Sequence, residues 1–177
     1  MWLGVAVAAV AAVMIGVFYL GGGNKPPAET PSTKTNAGTK HADQGQEHIT
    51  NGAAHEPYNS DLPSSGPHYT SPAPWGVKEQ ELADETLIHN MEHGGIVIAY
   101  KPDLPKAQID KLKNLFNTLP RSQQFGSIKA IVVPRAKNSN AVQLAAWTYT
   151  LNLDNVDEKQ IIEFYKSHLD KGPELVP

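Results

Sequence analysis

The feature that most limits how this chain can fold is the run from Leu3 to Leu20, which contains no charged or strongly polar side chain. As a helix rising 1.5 Å per residue it would span roughly 27 Å, close to the hydrocarbon thickness of a bilayer. A buried helix of a soluble domain keeps a polar stripe, and this run has none. Residues 1–21 are therefore read as a transmembrane anchor. A cleaved signal would need a basic leading region and a small-x-small site, but only Met1-Trp2 precede the run and Phe18-Tyr19-Leu20 ends it. Lys25, Lys34 and Lys40 follow it, and the positive-inside rule taken strictly would hold the remainder in the cytoplasm. The expectation is nevertheless a single-pass cell-membrane protein whose C-terminal part is extracytoplasmic, the usual outcome for a signal-anchor layout.

The apolar run is followed by residues 22–57, rich in Gly, Pro, Thr, Asn, Lys and Gln and poor in branched and aromatic side chains. Such a segment buries too little apolar surface to offset its ordering entropy, so it is expected to be a disordered linker. His41, His48 and His55 recur in it every seventh residue, a spacing attributed to chance in a polar tract, with a metal-collecting tether as the alternative. Residues 58–174 then form the folded domain, long enough for one modest core.

Within the domain, the Pro- and Gly-dense stretch from Tyr58 to Gly76 excludes a helix and confines any strand to an edge. Ile96–Tyr100 and Ile128–Val133 read as strands by their β-branched content, and Val142–Thr150 as a third. Pro105–Leu119 carries Ile109, Leu112, Leu115 and Phe116 at helical spacing, and Asp157 caps a last helix running to His168. The order α-β-α-β-β-α predicts an α+β fold, a small sandwich of helices on a mostly antiparallel sheet. Its second half resembles the close of thioredoxin-like folds.

The first of those helices covers Asp84 to His93. Asp84 is the expected N-cap and Gly94-Gly95 the stop. At about 100° per residue, Leu87, Ile88 and Met91 share one flank while His89 and His93 stack on the other, where one ion could be gripped. Glu85, four residues before His89, could take the second imidazole N–H. In an extended segment His89, Met91 and His93 would share a face instead, a set leaning toward copper. Both geometries keep the two histidines together.

Three stretches considered together resemble an uncharacterised bacterial and archaeal family, domain of unknown function 3105. They are Pro63-Ser64-Ser65-Gly66-Pro67-His68-Tyr69, Pro74-Trp75-Gly76 and Leu87-Ile88-His89-Asn90-Met91-Glu92-His93-Gly94. The resemblance extends from Tyr58 to about Glu174 and supplies no activity. Met91 stands where leucine is frequent in that family, a core-like exchange of similar volume.

The resemblance joins the loop to the helix and so adds His68 to His89 and His93. Three imidazoles suit copper, zinc or iron and leave a coordination position open. The leading expectation is a membrane-anchored, extracytoplasmic metal-binding domain, more a binding protein than an enzyme, with copper as the ion. His68, His89 and His93 are its ligands, Met91 and Glu92 outer candidates, and Glu85 and Tyr69 supporting residues. A zinc-dependent hydrolase is the alternative. His89-Asn90-Met91-Glu92-His93 has the H-x-x-E-H order, in which Glu92 would activate water and Glu163 or Glu174 would complete the zinc site. A third reading is a partner-binding domain held at the membrane, with Tyr58, Tyr69 and Trp75 as anchors for an unknown protein or glycan. The absence of cysteine excludes disulfides, thiolate metal sites and cysteine catalysis, and a net charge of −3 gives no footprint for nucleic acid.

Overall fold

A computed structural model of the chain describes residues 38–177. The anchor expected over 1–21 and the part of the linker expected over 22–37 lie outside the described residues. Among the described residues, no helix is long and apolar enough to cross a membrane. In chain order the elements are β1 (Thr39–Lys40), β2 (His48–Ile49), β3 (His68–Tyr69), β4 (Gly76–Val77), α1 (Asp84–Glu92), β5 (Ile96–Tyr100), α2 (Lys106–Phe116), β6 (Ala130–Pro134), β7 (Val142–Ala146), β8 (Tyr149–Leu153) and α3 (Glu158–His168).

Six strands form one mixed sheet in the order β1-β8-β7-β5-β6-β4. The pairings from β1 through β8 and β7 to β5 are antiparallel, whereas β5–β6 and β6–β4 are parallel. The fold is thus α+β with a mostly antiparallel sheet. Strands β5, β6 and β7 are buried along their whole length. Near-continuous apolar runs such as Ile96-Val97-Ile98-Ala99 are what a strand covered on both faces requires.

The covering layers follow from alternation along the strands. Ile96, Ile98, Ala130, Val132 and Leu144 point to the face packed by Leu112 and Leu115 of α2 and by Ile161, Phe164 and Tyr165 of α3. Val97, Ala99, Ile131, Val133 and Ala145 point the other way, against Leu87, Ile88 and Met91 of α1 and against Leu62 from the preceding loop. Helix α1 therefore lies alone with the irregular N-terminal segments on one face of the sheet.

Three expectations are corrected here. Residues 38–57, expected within the linker, lie along the domain: β1 pairs with β8, and β2 pairs in parallel with β3. His41 Nε2 and Thr150 Oγ1 are 2.7 Å apart, and the Gln44 amide donates to Ser65. Composition concealed this because the segment contributes hydrogen bonds and little apolar burial. The single strand over Val142–Thr150 is a hairpin whose two-residue turn is Trp147-Thr148. Thr148 sits at φ +61°, where hairpin turns normally place Asn or Gly, so no turn signal was visible. Backbone bonds from Thr148 to Ser64 and from His41 to Thr148 hold the turn from outside. Finally, Asp84 does not cap α1. The cap position is Ala83, and the buried Asp84 carboxylate receives Arg135 through two bonds of 3.0 Å, from Nε and Nη2.

Candidate metal centre

Helix α1 and its C-cap residue His93 supply three of the chemical groups. Glu92 lies about 60° around the helix from His89, and His93 about 40° on its other side, so all three share one arc opposite the core flank. The helix ends in a Schellman arrangement: the Gly95 amide donates to Asn90 at 3.0 Å and the Gly94 amide to Met91 at 2.9 Å. Gly94 takes φ +78°. This sharp stop keeps His93 at the helix end, beside the C-terminal tail.

The loop through Ser65-Gly66-Pro67-His68 lies over this arc. His68 is fully buried, and its Nδ1 is 2.8 Å from the Gly66 carbonyl oxygen. His89 Nδ1 stands in the same relation to the Tyr69 carbonyl at 2.6 Å. A carbonyl oxygen can only accept, so both imidazoles carry a proton on Nδ1 and turn Nε2 inward. Metal-bound histidines are oriented by this device.

The inward nitrogen of His68 meets Glu92, which is almost entirely buried. Its Oε2 is 2.8 Å from His68 Nε2 and 3.3 Å from His48 Nε2. His48 comes from β2, placed by the register His48↔His68. Its ring stacks on His89 at 5.0 Å and meets His68 edge-on at 4.7 Å. One ligand atom from each of His48, His68, His89 and Glu92 lies within 4.8 Å of the other three. In the metal-free protein a proton must occupy the short His68–Glu92 contact, because an imidazole lone pair cannot face a carboxylate oxygen favourably.

His93 stands beside this set, its Nε2 3.0 Å from that of His89 and 3.5 Å from Glu174 Oε2. Burial, and next the neighbouring His89, push the His93 imidazole below its ordinary range.

Glu174 arrives on the C-terminal tail. Its amide donates to the Glu92 carbonyl at 3.0 Å, and that of Asp170 to Gly94 at 2.9 Å. A Cβ on Gly172 would stand 2.2 Å from the Glu92 carbonyl oxygen and 2.3 Å from the Gly94 nitrogen, so only glycine admits this approach. Buried Lys129 secures the junction. Its ammonium donates to the His93 and Val176 carbonyls and pairs with Asp170 at 3.2 Å.

Several expected site residues lie elsewhere. Met91 is fully buried in the core between α1 and the sheet, away from the imidazoles, because helical periodicity assigns it to the apolar flank. Glu85 does not support His89; its carboxylate faces His55 Nε2 at 3.3 Å, and the Tyr69 backbone carbonyl takes the His89 proton. Tyr69 does support His89, through its backbone carbonyl, while its hydroxyl accepts from the Gly52 amide. Glu163 is on α3, which packs on the opposite face of the sheet from α1, and cannot complete a zinc site with His89.

Sequence reasoning attributed His48 to chance in a polar tract, with a metal-collecting tether as the alternative, and did not join it to His68 and His89. The weak signal was the pair His48-Ile49 followed by Thr50, two β-branched residues in an otherwise polar tract. No curated protein and no solved structure matches the chain. Residues 48–176, a span that opens on His48 and includes His68, His89, Glu92, His93 and Glu174, match the family described as protein of unknown function (DUF3105), and the chain belongs to that family.

Proposed function

We propose that this protein is a membrane-anchored metal-binding domain whose ion, copper(II) in the first instance, is held by His48, His68, His89 and Glu92. The observation that carries the reading is the gathering of one ligand atom from each of three imidazoles and one buried carboxylate within 4.8 Å of one another, with the Nδ1 protons of His68 and His89 set by backbone carbonyls. A buried carboxylate among imidazoles is expensive without a cation or a shared proton to balance it. Three nitrogens and one oxygen suit copper(II), which stands highest among divalent first-row ions, and zinc is the alternative. Copper(I) prefers sulfur, and the chain has no cysteine while Met91 is turned to the core.

The charge-free run Leu3–Leu20 supports anchoring, with the domain outside the cytoplasm. The order β8-β7-β5-β6, with α2 between the parallel pair and α3 after the hairpin, supports a thioredoxin-like second half. Without cysteine it lends no redox function. Tyr58, Tyr69 and Trp75 are half-buried, so a protein partner would meet their edges.

The test is metal content of the full untagged chain in detergent after exposure to Cu(II) and Zn(II), beside His48→Ala and His68→Ala. A tightly held ion lost in both variants is the expected result. A wild-type chain that retains no metal after dialysis refutes the proposal.

A further inference from the structure

We infer that the centre takes two divalent cations, the second held by Glu92, His93 and Glu174, with Glu92 bridging the pair. This rests on the metal-binding reading of the His48–His68–His89–Glu92 set. Glu92, His93 and Glu174 each offer a ligand atom within 4.8 Å of the other two. Glu92 belongs to both groups, and a carboxylate has two oxygens, so one residue can serve two ions. Carboxylate-bridged ions in two-metal sites stand about 3.5–4 Å apart. The 3.0 Å separation of His89 Nε2 from His93 Nε2 puts the donors of the two groups side by side, as such a pair requires.

Charge balance points the same way. The first group offers three imidazoles and one carboxylate; the second adds one imidazole and the Glu174 carboxylate, giving the harder set with more oxygen. The Lys129 ammonium donates to the His93 carbonyl and is paired with Asp170 at 3.2 Å. The backbone also commits to this arrangement. Gly172, with no room for a Cβ, seats the tail on the end of α1. Glu174 is partly exposed, which makes the second position the more accessible and more easily emptied of the two.

The experiment measures stoichiometry and magnetic coupling on the full chain in detergent, titrated with Cu(II) alone and separately with Zn(II) alone. Wild type is expected to hold two equivalents, with a Cu(II) electron paramagnetic resonance spectrum showing spin coupling. Glu174→Gln and His93→Ala are expected to hold one, with an uncoupled spectrum and an unchanged far-ultraviolet circular dichroism spectrum. One equivalent in wild type and in Glu174→Gln alike, with identical uncoupled spectra, overturns the second site and leaves the first standing. Zero equivalents in wild type overturns the first site and the second with it. Should His93→Ala fail to fold, Glu174→Gln decides the matter alone, since its side chain keeps the same shape at a partly exposed position.

Discussion

Replacing Glu92 by Gln separates a metal ligand from a structural ion pair. The substitution keeps the shape of a nearly fully buried side chain and removes its charge. In the metal-free protein the amide can donate to His68 Nε2, whose Nδ1 proton is already committed to Gly66. Apo stability should therefore stay within about 1 kcal/mol of wild type, the scale of one neutral hydrogen bond. Metal binding should suffer much more. Loss of supporting partners around a metal typically costs 10–100-fold, and loss of the anionic ligand itself should reach at least the upper end, about 100-fold or 2.7 kcal/mol. At a free ion concentration about 100 times the wild-type dissociation constant, wild type gains about 2.7 kcal/mol of stability and the variant only about 0.4 kcal/mol. For a domain of this size each kcal/mol moves the melting temperature by about 2–4 °C, so the metal-induced shift should shrink by about 5–9 °C. Thermal denaturation of both proteins, apo and with Cu(II) or Zn(II), reads this directly. An undiminished shift in Glu92→Gln would refute Glu92 as a ligand. A variant already unfolded without metal would show instead that the Glu92–His68 contact is structural.

Two further perturbations test the scaffold around the site. Gly172→Ala places a methyl group against the Glu92 and Met91 carbonyls and the Gly94 amide, atoms of rigid backbone. It should cost about 1–3 kcal/mol by overpacking in a denaturant titration, and an unchanged midpoint would show that the tail is not seated as described. On the acid side, burial opposes ionisation of Asp61, but hydrogen bonds from Ser139, Arg135 and Leu62 win and hold its carboxyl well below the usual range. A depressed folded-state value contributes stability above the unfolded carboxylate range, and that contribution is lost as pH falls toward the folded value. Urea midpoints should thus drop more steeply between about pH 5 and 2 in wild type than in Asp61→Asn. Parallel slopes would refute the role assigned to Asp61.

Local pattern carried the reading as far as local chemistry reaches. The apolar flank of α1 formed by Leu87, Ile88 and Met91, its Gly94 stop and the Asp157 cap of α3 all follow from neighbours within four residues. The misreadings share one cause, which is a partner distant in sequence. Asp84 gives up capping because Arg135 offers two bonds to a buried carboxylate. Glu85 is drawn to His55, and Thr148 accepts a left-handed turn that Ser64 and His41 hold in place. Residues 38–57 are ordered by a few pairings to β8 and β3, an interaction that hydrophobic composition does not report.

By itself, the sequence determined that His89, Glu92 and His93 occupy one arc of a helix whose opposite side is buried. That follows from the helical period, which is a property of the backbone. Its cysteine-free composition also limited the donors to nitrogen and oxygen. Tertiary structure alone decided which further residues join that arc. His48 enters through strand register with His68, and Glu174 through a tail that only a glycine lets against the helix end. Register and close approach are set by packing across more than 19 residues of chain, where the period of a single helix carries no information.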